Sequence, residues 1–179
     1  MRDNALIIFV RAALLELLPG RGLGNVAVRQ NWQPRQQGRA NETCIYLHKI
    51  TDRRYGSRAV REVWDTDTGE MVRRETQLIE TTLQFTVLAA ERDPASDEDT
   101  AADVARAASA VLQSPAFIER AGKAGVQVLR IQDIRNQPVE NDRDRFEFET
   151  SFDAIFAHED THTENIYPLT GWRSGIHGI

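Results

Sequence analysis

The chain has 179 residues, of which 41% are hydrophobic and 27% charged, and its formal net charge is −5. Those values are ordinary for a soluble globular chain, and the length suits one domain with a real core and excludes two comfortably sized ones. One cysteine, Cys44, excludes an intramolecular disulfide and fits a reducing cytoplasm.

The charge is unevenly spread. Residues 1–64 hold 11 Arg/Lys against 5 Asp/Glu, whereas residues 91–165 hold 8 against 17. Opposed halves can meet head to tail between copies, or simply solvate separate faces. The basic half has no continuous Lys/Arg stripe and the whole chain is acidic, so specific nucleic-acid binding is not expected.

In chain order, Leu6, Phe9, Val10, Ala13, Leu14 and Leu17 recur at spacings of three and four. This predicts an amphipathic helix over Ala5–Leu18, capped by Asp3 or Asn4 and ended by Pro19-Gly20. Arg11 and Glu16 interrupt its apolar run, so it reads as the first helix of the fold and not as a membrane span or a cleaved leader. Residues 21–40 read mostly as loop, with a short strand at Val26–Val28. Thr43–Ile50 alternates as a strand, Ile45 and Leu47 on one face and Tyr46 and His48 on the other. It is expected to end in a basic aromatic turn, Thr51–Gly56. A second strand then runs from Ser57 to Trp64. Asp65–Gly69 turns the chain, and Glu70–Ala90 returns as the other half of a long hairpin with a projecting polar tip.

Asp93–Asp97 reads as a linker whose Ser96 or Asp97 caps an Ala-rich helix, Glu98–Leu112. Ser114 caps a third helix with Pro115 at its first position. Val126–Ile134 is a predicted strand and Arg135–Arg143 a polar turn. Arg145–Ala157 alternates Phe146, Phe148, Phe152 and Phe156 with polar residues, the clearest strand in the chain, paired antiparallel with Val126–Ile134. The sum is an α+β fold. A mostly antiparallel sheet carries a long β-hairpin, with an N-terminal helix and an Ala-rich helix packed on one face. Residues 1–157 form the single domain and 158–179 a C-terminal tail.

Motifs that imitate chemistry are weak. His158-Glu159-Asp160-Thr161-His162 has the form of a zinc-hydrolase helix, with Glu164 and His177 as further candidate ligands. It follows a strand, however, and lacks helical periodicity, so it reads as polar tail and no metal site is assigned. Asp65–Gly69 imitates a calcium loop, but position twelve is Thr76. Cys44 and His48 would stand roughly 13 Å apart along a strand, too far for a catalytic pair. Gly20–Gly24 follows a helix and not a strand, so it is no phosphate loop. No catalytic residue and no cofactor is assigned. What remains are contact residues: Trp32, Gln33 and Arg35 in the polar loop, Arg53, Arg54 and Tyr55 after the first strand, and Asp65 and Asp67 at the hairpin tip.

Taken in order, four features carry a resemblance. They are the first helix, the strand preceded by Asn31-Trp32-Gln33-Pro34, the long hairpin returning through Gln77–Ala90, and the Ala-rich helix before a strand pair that includes Asp144–Glu149. Together they resemble the tail terminator (neck terminator) proteins of tailed bacteriophages. The resemblance implies a structural virion protein of the tail and neck, assembled in the bacterial cytoplasm. It implies a homo-oligomeric ring, typically a hexamer, that caps the tail tube and meets neck connector proteins, with no membrane partner. The long tail from His158 departs from a compact terminator. Alternatives are another phage connector component (a tail-completion or head-closure protein), a metal hydrolase using the HEDTH segment, and a small ligand-binding regulator.

Overall fold

The computed structural model describes residues 1, 3–30, 42–89, 98–140 and 146–166. The expected contacts Trp32, Gln33 and Arg35, the linker Asp93–Asp97 and the candidate ligand His177 lie outside them. The described residues form three α-helices, one short 3-10 turn (Pro19–Arg21) and six strands: α1 (Asp3–Leu17), β1 (Ala27–Gln30), β2 (Cys44–Asp65), β3 (Glu70–Leu88), α2 (Ala101–Leu112), α3 (Pro115–Lys123), β4 (Val126–Ile131), β5 (Arg135–Glu140) and β6 (Phe146–Ile166). The sheet runs β1-β2-β3-β6-β4, and β5 also pairs with β6. Every pairing is antiparallel except β1 with β2, which is parallel. The fold is therefore α+β with the long β2–β3 hairpin that the alternation and the Asp65–Gly69 turn predicted.

One core holds the globular end. Ile45 and Leu47 of β2, Leu83, Phe85 and Val87 of β3, and Phe152, Ala154 and Phe156 of β6 share one face of the sheet. They cluster with Leu6, Val10 and Leu14 of α1, Val104, Ala108 and Leu112 of α2, and Phe117 of α3. Small residues on α2 let it lie close over β3 and β6. Burial of these side chains, at roughly 1.5–3 kcal/mol each, drives the packing. Phe85 and Phe152 stand opposite one another and stack, centroids 4.7 Å apart at 5°.

Several boundaries differ from the sequence reading. Thr51–Gly56 is no turn: β2 continues through it to Asp65, with register shifts between Lys49 and Thr51 and between Tyr55 and Ala59. Gly56 takes φ 65° at the second shift, and the Gln77 amide donates to the carbonyls of Tyr55 and Gly56. Gly, Asp and Arg there mark a bulge in a long strand. The cap of α2 is Thr100 and not Ser96 or Asp97; its hydroxyl accepts from the Asp103 amide while the Asp103 carboxylate accepts from Thr100. Asp3 and Asn4 lie inside α1 and do not precede it. Within the polar stretch expected to turn, Arg135–Arg143, residues Arg135–Glu140 form strand β5, with Pro138 tolerated because among the described residues β5 pairs on one side only. The strand expected to stop at Ala157 runs to Ile166, so the first nine residues of the expected tail belong to the sheet.

Candidate interaction surface

Beyond the helices, β2, β3 and β6 continue as a three-stranded arm about 40 Å long. Its β2 strand is uncovered among the described residues, Thr51–Trp64 being exposed throughout, whereas Val72 and Gln77 of the central strand are buried. Large apolar side chains lie on both faces of the arm. Directly opposed residues share a face, so Tyr55 and Leu78 lie on one, and Trp64, Met71 and Ile166 on the other. Tyr55 is 43% exposed, Leu78 45% and Trp64 53%. Exposed aromatic and apolar clusters at the end of a rigid arm are the composition of a contact surface.

Where the arm leaves the core, a polar relay crosses all three strands. The Thr81 hydroxyl donates to Asp52 at 2.8 Å and lies 3.0 Å from His158 Nε2. A hydroxyl has one proton, and the carboxylate can only accept. His158 therefore donates from Nε2, which leaves Nδ1 as the atom an added proton must reach. That atom is buried and unpartnered. Burial, and then the nearby N-terminal amine, hold the His158 imidazole below its ordinary value; the Glu159 backbone, Asp52 and Asp3 pull the other way without prevailing. Burial pushes Asp52 upward, but hydrogen bonds from Lys49 and Thr81 outweigh it and hold the carboxyl below its usual range. Lys49 also pairs with Asp3, tying the root of the arm to α1.

The expected contact residues fall in two places. Arg53, Arg54 and Tyr55 sit together on β2, with the Arg53 guanidinium 5.0 Å over the Tyr55 ring. Asp65 and Asp67 sit at the tip, roughly 30 Å farther along the strand. Asp65 shapes the turn: its carboxylate accepts from the amides of Asp67 and Thr68, at 2.9 and 3.3 Å, and its carbonyl accepts from Gly69. Trp64, Glu159 and Glu164 were not expected as contact residues, the two glutamates having been weighed only within the zinc-like motif. For the glutamates the signal would have been continuation of the last strand past Ala157, which no apolar alternation announces.

The enzyme look-alikes separate. His158 and His162 lie on a strand, roughly 13 Å apart, with Glu159 on the opposite face. Among the described residues no three metal-ligating side chains converge. Cys44 is buried, and burial pushes its thiol upward. A shallow groove of about 290 Å³ beside Asn4, Ile7 and His48 is open to solvent.

A long arm on a small α+β body, with no convergent chemistry among the described residues, has the form of an assembly component. The family model described as E217 gateway protein gp29 matches residues 5–167, from within α1 to just past β6. The chain belongs to that family, whose members are phage head–tail connector (gateway) proteins. None of the curated proteins compared with the chain matches it. No described helix is long and apolar enough to cross a membrane.

Proposed function

We propose that this chain is the subunit of a ring at the head–tail junction of a tailed phage, closing the tail tube and joining it to the neck. It works by contact and catalyses nothing. The observation that carries the reading is the arm, three strands wide, with exposed aromatic and aliphatic side chains on both faces. A monomer that left such a surface in water would be prone to association; a subunit buries it against neighbours. Membership of a gateway family supports the connector role. Stopping tube growth is the finer step and rests on the resemblance to tail terminators. A connector that meets only the head side differs in which partner it binds, the tube protein or the head connector.

Native mass spectrometry across protein concentration and salt tests the ring. The expected result is a closed oligomer of about six copies that dissociates as salt screens its contacts. A chain that stays monomeric at high concentration and low salt overturns the ring reading.

A further inference from the structure

The arm has two open edges. The described pairing of β1 with β2 covers Cys44–Leu47, and from Lys49 to Asp65 the outer edge of β2 has no partner strand among the described residues. On the other side β4 and β5 pair with β6 no farther than His158, and the N-terminal amine of Met1 donates to the Glu159 carbonyl, so among the described residues Asp160–Ile166 has no partner strand on that side. Unpaired edges of this length are templates for another strand. Their charges are opposite. Arg53, Arg54 and Arg61 project from β2 without an ion-pair partner among the described residues, against one such acid, Glu62; Glu159 and Glu164 do likewise from β6. β2 and β6 are both antiparallel to β3 and therefore run in one direction. The outer edge of β2 already takes a parallel partner, β1, at its start.

We propose that copies of the chain join through the arm, edge to edge. The basic edge of β2 in one copy pairs in parallel with the acidic edge of β6 in the next, so that one sheet runs on across the interface. This deepens the ring reading and rests on it. Such a contact is heterologous, the kind that closes a ring, and each copy has one edge of either kind. Seven residues of β6, about 23 Å of strand, are available for it. Levels match as well: Tyr55 and Glu159 flank Leu78, and Trp64 and Ile166 flank Met71. An unstaggered ring thus sets Glu159 beside the Arg53–Tyr55 stretch and Ile166 beside Trp64. Bulges and arginines on β2 guard the edge against indiscriminate pairing and leave the acidic strand as the fitting partner.

The test uses two edge variants of the full chain, Arg53→Glu/Arg61→Glu and Glu159→Arg/Glu164→Arg, with circular dichroism to confirm folding. Each variant alone meets like charge at every junction and is expected to assemble at least a hundredfold more weakly than the natural chain. Mixed one to one, the two restore a ring of alternating copies, as does a chain carrying all four changes. Hydrogen exchange of that ring is expected to show amides of residues 51–65 and 160–166 protected relative to the dissociated variants. A natural ring indifferent to both variants overturns the edge pairing and leaves the ring reading standing. Charge dependence without amide protection on both strands also overturns it. A natural chain that never assembles overturns the ring reading itself.

Discussion

Phe152→Ala removes a ring that is fully buried between the sheet and its helices and stacked on Phe85. Truncating a buried Phe costs about 3–5 kcal/mol in transfer and cavity terms. The near-parallel stack, 4.7 Å between centroids, places this site toward the upper end, because such a pair adds about 0.5–1.5 kcal/mol beyond area. A loss of about 4–5 kcal/mol is therefore expected, a third or more of the stability of most domains. At about 2–4 °C per kcal/mol for a chain of this size, Tm should fall by about 8–20 °C. Urea unfolding measures it best in the Arg53→Glu/Arg61→Glu background, so that assembly adds nothing to apparent stability. Phe152→Leu serves as the volume control and should cost under about 2 kcal/mol. A loss below about 2 kcal/mol for Phe152→Ala, with an unchanged m-value, would refute the packing of β6 against β3 at this level.

Acidification should loosen the root of the arm. His158 has a folded pKa below its unfolded value of about 6.5, so the unfolded chain binds more protons. Its contribution is intact above that value and is lost as pH falls through the lower folded one. Asp52 behaves in the same sense at lower pH, its stabilisation fading as pH drops below about 3.9. Stability measured from pH 7.5 to 5 should decline, and His158→Gln should flatten that slope; an unchanged slope would remove His158 as its source. Gly56→Ala isolates backbone strain, because a Cβ there meets nothing within 4 Å while φ is +65°. It should cost about 1–2 kcal/mol. Thr100→Ala, which removes the hydroxyl that caps α2, should cost about 1 kcal/mol by the same urea assay.

How much was legible in the residues follows from where water lies. α1 and the Phe-rich half of β6 each carry one apolar face against the core, so their periods of 3.6 and 2 could be read. Ser114-Pro115 and Asp65–Gly69 carry their own local chemistry, and both formed as expected. The arm is different. Both faces of Thr51–Trp64 meet solvent, so no alternation survives there, and a bulge at Gly56 passed for a turn. The same reason hid Glu159–Ile166 and, with Pro138, β5. Charge asymmetry between the halves of the chain was visible from the start, but only sheet order sets the basic strand and the acidic strand on opposite edges of one arm. Three of the expected contacts, Trp32, Gln33 and Arg35, lie outside the described residues.

Electron microscopy of lysates from the encoding phage, with the gene for this chain disrupted, tests the junction role most directly. A ring that closes the tail and joins it to the neck predicts filled heads and tails that remain apart, the tails irregular in length. Joined virions at normal yield would contradict it.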